Sequence, residues 1–171
     1  MVEITPITPA DIESFHRTLD FVARERRYLS FSEAPPLEST RAFVLDMIAH
    51  GYPQLVARAD GEVVGWCDVT PKSGPIDARI GVLGMGLLPQ FRRQGIGSRL
   101  MARALADART FGFSRVELTV YRSNANAIRL YEKAGFVIKA VQPAEALGDA
   151  IDKTVLIMAL SLEAPAGQRP R

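Results

Sequence analysis

The sequence predicts an α/β fold in which a mixed sheet is flanked by helices. Three observations predict it. Helical and strand patterns alternate along the chain, glycines follow the amphipathic helices, and Asp60-Gly61 separates two apolar runs as a hairpin turn. A chain of 171 residues is of single-domain size and buries about 70% of its unfolded surface. We expect one domain over residues 1–162 and a disordered tail over 163–171, which has little apolar surface to bury.

The first element is a predicted strand over residues 2–8, which Pro9 ends. Apolar side chains at helical spacing predict a helix from Pro9 to about Tyr28. A loop with two adjacent prolines follows, and residues 39–50 predict a second helix that a glycine ends. The apolar positions of this second helix are Phe43, Met47 and Ile48.

Three strands are predicted next, over residues 54–58, 63–70 and 78–88. The Asp60-Gly61 turn joins the first two as a hairpin. Glycines interrupt the third strand, and glycines inside a strand often mark a bulge or a close backbone approach. These glycines are Gly81, Gly84 and Gly86.

The remaining elements alternate between helix and strand. Residues 95–111 predict an amphipathic helix, and residues 115–120 predict a strand. Ser123 or Asn124 can cap the next helix, which Gly135 ends. Two final strands are predicted over 136–141 and 152–160. The predicted order is β-α-α-β-β-β-α-β-α-β-β.

Composition excludes several classes of function. Lysine and arginine number 21 against 19 aspartates and glutamates, a balance too slight to indicate a nucleic-acid or membrane partner. No apolar run reaches the length of a membrane span, and the acidic start lacks a signal-peptide core. The single cysteine, Cys67, excludes an intramolecular disulfide. We therefore expect a cytoplasmic protein that binds neither nucleic acid nor membrane.

Residues 87–98 are the most informative stretch of the chain. They join an apolar strand to an amphipathic helix through a short basic loop with two glycines, Gly95 and Gly97. Glycine allows close backbone approach, and a helix start offers free N–H groups with a partial positive charge. Arg92 and Arg93 add formal charge. The segment predicts a socket for a phosphorylated ligand, without the Walker lysine or the third glycine of a dinucleotide loop.

A second segment, residues 120–136, reads as a strand end, a helix cap, about three helical turns and a stop. Asn124 and Tyr131 are seven residues apart, so they share one helix face two turns apart. One residue can meet a ligand at the helix start, while the other points deeper into the same cleft.

Together the two segments resemble the GCN5-related N-acetyltransferase (GNAT) family. Residues 92–97 fit its cofactor motif Arg/Gln-x-x-Gly-x-Gly/Ala, and residues 124–136 match Asn-x-x-Ala-Ile-x-Leu-Tyr-Glu-Lys-x-Gly-Phe. The resemblance is clearest from Val82 to Val137. It implies a mixed, mostly antiparallel sheet flanked by helices, acetyl coenzyme A as co-substrate, no metal, and a possible homodimer.

The resemblance also implies the residues that hold the cofactor. The pyrophosphate would lie on backbone N–H groups from Arg93 to Ser98, with Arg92 or Arg93 adding charge. The pantetheine arm would pair with the strand before the loop, which a bulge would splay from its neighbour. Asn124 would hold the arm or the thioester. The implied set is Met85, Gly86, Leu87, Arg92, Arg93, Gln94, Gly95, Ile96, Gly97, Ser98 and Asn124.

Catalysis would need an acid and a base. Tyr131 matches the family's tyrosine proton donor, and a phenol with a pKa of about 10 is protonated at neutral pH. Where some members carry a glutamate base, this chain has Thr119. We expect Glu117, two residues earlier on the same strand face, to serve instead. The alternatives are Glu33 and Asp68. The Cys67 thiol is expected to be buried and structural.

The resulting expectation is an N-acetyltransferase that acts by direct attack of a primary amine, with Glu117 and Tyr131 as catalytic residues. The acceptor is expected to be a small molecule such as an amino acid. Arginines among residues 24–27 could hold an anionic group of that acceptor. A protein N-terminus or lysine as acceptor, another acyl group, and a non-catalytic acyl-CoA-binding or sensing domain remain open.

Overall fold

The structure is a computed structural model of the chain. It describes residues 1–74, 79–143 and 154–163. The elements follow the predicted order. They are β1 (Glu3–Pro6), α1 (Ile12–Arg24), α2 (Leu37–His50), β2 (Gln54–Ala59), β3 (Glu62–Pro71), β4 (Ile80–Leu87), α3 (Ile96–Phe111), β5 (Arg115–Tyr121), α4 (Ala125–Lys133), β6 (Val137–Pro143) and β7 (Thr154–Ser161), with short 3-10 turns at Pro9–Asp11 and Pro89–Phe91.

Seven strands form one sheet in the order β1-β2-β3-β4-β5-β7-β6. Among the strand pairs that the structure describes, β4 and β5 alone run parallel. The expected mixed, mostly antiparallel sheet flanked by helices is confirmed. The starts predicted at Ala78 and Asp152, and the tail after Glu163, lie outside the described residues.

Two apolar clusters cover the two faces of the sheet. One joins the inner side of α3 and Tyr131 of α4 to Cys67 and Leu83 of the central strands. The other joins α1 and α2 to Val56 and Trp66 on the opposite face. Because side chains alternate along a strand, Asp68 shares the face of Trp66. The loop at the start of α3 and the carboxyl group of Asp68 therefore lie on opposite sides of the sheet.

The parallel strands β4 and β5 separate part of the way along their length. Residues Ile80–Val82 pair with Arg115–Glu117, and no further register pair joins the described residues of these two strands. Both strands continue, β4 to Leu87 and β5 to Tyr121. The later half of β4 consequently has backbone polar groups toward β5 that no strand satisfies.

The bulge predicted from the glycines of β4 is wrong. Residues Gly65–Pro71 pair with Gly81–Leu87 in one unbroken register. The alternative, close approach, is what the structure has, since a Cβ at Gly86 would lie 2.4 Å from the Trp66 ring. Strands β4 and β5 therefore separate where their pairing ends, after Val82 and Glu117, and β4 contains no extra residue relative to β3.

Two helical predictions need correction. Helix α1 ends at Arg24 rather than near Tyr28, and Arg26 adopts a left-handed φ of 55° that breaks the helix. In α2 the buried face carries Val44 and Met47, whereas Phe43 and Ile48 are exposed. Helix α2 also starts at Leu37, directly after Pro36, rather than at the predicted Ser39. By contrast, the Asp60-Gly61 hairpin has both residues at positive φ, as its turn type requires.

Among the helices that the structure describes, none combines the length and apolarity needed to cross a lipid bilayer.

Candidate functional site

The start of α3 offers an uncapped set of backbone donors. Gly95 precedes the helix with a φ of 79°, and no side chain caps the first turn. The N–H groups of Ile96, Gly97 and Ser98 have no acceptor within the helix because of their position. The first turn carries no acidic residue, so the positive end of the helix dipole is not neutralised there. Such a start suits a phosphate group.

Gly97 marks the point where three elements meet. A Cβ at this position would lie 3.5 Å from side-chain atoms of Met85, Leu87 and Leu130. These residues belong to β4 and α4, so the end of β4, the start of α3 and the middle of α4 converge here. A separation of 3.5 Å is ordinary van der Waals contact, and the protein itself therefore does not require glycine at this position.

The two arginines of the loop have different surroundings. Arg93 is exposed, and its guanidinium donates to Asn126 Oδ1 at 3.3 Å, which reaches from the loop to the start of α4. Its φ of 63° is uncommon for a residue with a side chain. Arg92 instead turns toward Glu25 and forms a bidentate ion pair with it. The geometry therefore favours Arg93, and not Arg92, as the charge available to a phosphate.

Asn124 and Tyr131 lie on α4 as the spacing predicted. The Oδ1 atom of Asn124 caps the helix by accepting from the Ala127 N–H at 3.3 Å, and this leaves the side-chain amide donors for another partner. Tyr131 is 7% exposed, and its ring packs against Phe136 at 5.9 Å between centroids. Burial, with a smaller contribution from the Cys67 thiol, raises the pKa of Tyr131 above its usual value. The phenol thus stays protonated at neutral pH.

Asp68 is the titratable group with the most unusual surroundings. It is 8% exposed and lies between Gln54 of β2 and Gly84 of β4 in the sheet register. Its carboxylate forms no hydrogen bond within the described residues, and burial raises its pKa to about 7. Gln54 is also buried, and neither of its amide atoms has a partner in the described part of the chain. Buried polar groups normally have hydrogen-bond partners, so Asp68 and Gln54 have unused hydrogen-bonding atoms.

Glu117 has different electrostatics. It forms ion pairs with Lys72 at 3.0 Å and with Arg115. Burial alone would raise the pKa of Glu117, but hydrogen bonds from Lys72 and Arg115 bring it below its usual value. A carboxylate held in this way is a weaker base than Asp68. Sequence periodicity places Arg115 on the same strand face as Glu117, but only the fold brings Lys72, which is 45 residues away, to this carboxylate.

The alternative base Glu33 and both histidines of the chain form contacts elsewhere. Glu33 is exposed and pairs with Arg24 at 3.4 Å. His16 hydrogen-bonds the Pro35 carbonyl, and His50 hydrogen-bonds the carbonyl of Asp46. Cys67 is fully buried, and burial together with Asp68 raises the pKa of its thiol well above its usual value, so it is unreactive. The ranges 1–74, 79–143 and 154–163 contain no group of three or more residues suited to hold a metal ion.

Comparison with known proteins gives a consistent result. Residues 18–136 match the sequence model of the acetyltransferase (GNAT) family. The chain is 32% identical over 105 residues to the L-amino acid N-acetyltransferase AaaT of Escherichia coli (strain K12), a match that covers 60% of this chain and 65% of that protein.

Two solved structures show the same fold. The yncA protein of Salmonella typhimurium, solved with its cofactor acetyl-CoA, superposes with a TM-score of 0.89 at 20% identity, over 100% of this chain and 98% of that one. A phosphinothricin acetyltransferase from Sinorhizobium meliloti, in complex with AcCoA, gives a TM-score of 0.88 at 17% identity, over 99% and 93% of the two chains.

Proposed function

We propose an activity for this chain, which belongs to the acetyltransferase (GNAT) family: it transfers an acetyl group from acetyl coenzyme A to the primary amine of a small molecule such as an amino acid. One observation carries the proposal. The strands β4 and β5 part after Val82 and Glu117, and the uncapped start of α3 and the buried Tyr131 belong to the same side of the sheet.

The residues present fit acetyl coenzyme A. The N–H groups at the start of α3 and the Arg93 guanidinium suit its pyrophosphate. The unpaired edge of β4, from Met85 to Leu87, suits the amide groups of its pantetheine arm, as an added strand would. Asn124 has side-chain amide donors that its capping role leaves available. The bound thioester supplies an activated acetyl group.

Tyr131 would act as the proton donor. The acceptor nitrogen forms a bond to the thioester carbon and releases one proton to solvent while the carbon–sulfur bond breaks, and the phenol proton goes to the leaving thiolate. The phenol then regains its proton from solvent. Tyr131 is suited to this because it is buried and protonated. Backbone N–H groups on the open edge of β4 would stabilise the negative charge that develops on the carbonyl oxygen.

We assign the base to Asp68 and not to Glu117. A primary ammonium must lose a proton before it attacks, and a carboxylate with a pKa near 7 is matched to that task at neutral pH. Asp68 lies beside Gly84, just past the point at which β4 leaves β5. Glu117 is neutralised by Lys72 and Arg115. The proton would therefore pass from the acceptor ammonium to the Asp68 carboxylate, directly or through water.

An amino acid acceptor is supported by two features. The relative in Escherichia coli acts on L-amino acids. In addition, Lys72 and Arg115 share the single carboxylate of Glu117, which leaves one net positive charge beside the residue of β5 at which its pairing with β4 ends. Such a charge suits the carboxylate of an amino acid whose amine faces Asp68. The cytoplasmic location and the homodimer remain predictions from the sequence.

The test is release of free coenzyme A thiol from acetyl coenzyme A, with a panel of amino acids, polyamines and short peptides. We expect amine-dependent release that is fastest with an amino acid. Faster release with peptides would indicate that the acceptor is a protein N-terminus or lysine. Bound acetyl coenzyme A with no release on any amine would support a sensing domain instead, and would contradict the proposal.

A further inference from the structure

The guanidinium of Arg92 is held by four contacts that have nothing to do with a phosphate. It donates to Glu25 Oε1 at 3.1 Å and to Glu25 Oε2 at 2.5 Å. Its Nε–H donates to the Leu87 carbonyl at 2.9 Å, and its carbon lies 4.7 Å from the centre of the Tyr28 ring. Planar, bidentate and stacked contacts of this kind fix a side chain in position and require arginine in particular.

These contacts join two parts of the chain that are remote in sequence. Glu25 and Tyr28 belong to the segment that follows α1, whereas Leu87 is the last residue of β4. Tyr28 and Leu29 pack on the apolar cluster that contains Trp66, on the same face of the sheet as Asp68. The segment 25–29 therefore lies on the proposed acceptor side, and Arg92 belongs to the loop on the proposed cofactor side.

The charge of Arg92 is already compensated. The side chains of Arg92 and Glu25 are only 26% and 21% exposed, so their ion pair is partly desolvated and well oriented. The carboxylate of Glu25 would repel a phosphate at the same guanidinium. Arg93, directly next in the chain, is exposed and has no carboxylate partner among the described residues. The two adjacent arginines thus have separate tasks.

We propose that Arg92 is a positioning residue that holds the segment 25–29 at the end of β4, so that an ordered cofactor loop also orders the acceptor side. The inference rests on the proposed function for the identity of the two sides. The cofactor loop and the segment 25–29 are coupled: ordering the loop at Arg92 orders the segment at Glu25, and loss of the ion pair uncouples the two.

Hydrogen exchange measures this coupling without any turnover. Coenzyme A is the probe, and the readout is the exchange rate of the backbone amides of residues 25–29. We expect coenzyme A to slow exchange there by at least about fivefold in the unmodified chain. The effect should vanish in Glu25→Gln and in Arg92→Gln, while the Kd for coenzyme A changes less than about threefold. Arg17→Gln is the matched control, because it removes an exposed ion pair elsewhere on α1 and should keep the effect.

Two outcomes would overturn the proposal. One is retention of the coenzyme A effect on residues 25–29 in both variants. The other is a loss of coenzyme A affinity of tenfold or more in Arg92→Gln but not in Glu25→Gln, which would make Arg92 a phosphate ligand. If Arg92→Gln does not fold, Arg92→Lys retains the charge but not the bidentate geometry, and it should lose the effect as well.

Steady-state kinetics give a second readout. In Glu25→Gln we expect the acceptor KM to rise at least about fivefold with kcat within about threefold, because positioning and not chemistry is lost. An unchanged KM in this variant would contradict the proposal. If the unmodified chain acetylates no amine, the proposed function fails, but the exchange experiment still decides whether Arg92 couples the two segments.

Discussion

Asp68 and Gly84 lie directly opposite each other on β3 and β4, and a Cβ at Gly84 would be only 3.3 Å from Asp68 Oδ1. The glycine therefore leaves room beside a buried carboxylate at the place where β4 leaves β5. This pair defines the acceptor side of the proposed reaction, because space for a ligand and a titratable group occur together.

Replacement of Asp68 by asparagine tests the base. If Asp68 accepts the proton, kcat/KM should rise with pH up to about 7, the pKa of Asp68, and then level off. We expect Asp68→Asn to lower kcat by at least about 100-fold and to remove this inflection. The measurement is a pH–rate profile of both proteins and of Glu117→Gln. Loss of the inflection in Glu117→Gln, with its retention in Asp68→Asn, would return the role to Glu117.

The same carboxyl group predicts a pH dependence of stability. Its pKa is raised on folding, so the folded state holds a proton that the unfolded chain releases between about pH 4 and pH 7. The free-energy cost of ionising the buried Asp68 carboxyl group in the folded state is absent below pH 4 and complete above pH 7. It is on the order of 4 kcal/mol. Relative to Asp68→Asn, the free energy of unfolding of the unmodified chain should therefore fall over this range. Denaturant titrations give the difference in the free energy of unfolding between Asp68→Asn and the unmodified chain. The same difference at pH 4.5 and at pH 8 would refute this prediction.

Gly97→Ala separates stability from ligand binding. A Cβ at this position makes ordinary contacts with the protein, and alanine favours a helix over glycine by about 1 kcal/mol. We expect an unchanged or higher free energy of unfolding and a Kd for coenzyme A within about threefold, because the motif that residues 92–97 fit also accepts alanine at this position. Thr110→Ala, near the other end of α3, controls for helix propensity. A tenfold loss of coenzyme A affinity, or a lower free energy of unfolding, in Gly97→Ala would contradict this.

Arg93→Gln should weaken coenzyme A binding by about tenfold at low salt, because it removes a charge that faces the phosphates. The difference from the unmodified chain should shrink as ionic strength rises. Arg129→Gln is the matched control, since Arg129 is also exposed and also donates to Asn126 Oδ1. Equal effects of the two substitutions, measured by calorimetry at two salt concentrations, would argue against a specific role for Arg93.

The order of elements could be predicted from the sequence because its signals are local. Apolar periodicity, the Asp60-Gly61 turn and the glycines after the helices each act within a few residues. The helix that carries Asn124 and Tyr131 was predictable for the same reason. The start of α2 at Leu37 was not, because it depends on how the preceding segment enters the helix.

The electrostatics of the site could not be predicted, since they arise from residues far apart in the chain. Nothing near Arg92 in the sequence points to Glu25 as its partner. Glu117 has the spacing of a base, but Lys72 approaches it from the β3–β4 connection. Asp68 gains its high pKa from burial between β2 and β4, under the helices of one face. A sequence alone gives the residue types, whereas basicity depends on their three-dimensional surroundings.

The most direct test of the account is the turnover of Tyr131→Phe. The substitution keeps the ring that packs on Phe136 and removes only the hydroxyl proposed to protonate the leaving thiolate. We predict that kcat for amine-dependent coenzyme A release falls at least about 100-fold, while the Kd for coenzyme A stays within about threefold. An unchanged kcat with the best amine of the panel would contradict the assignment of Tyr131 and, with it, the proposed mechanism.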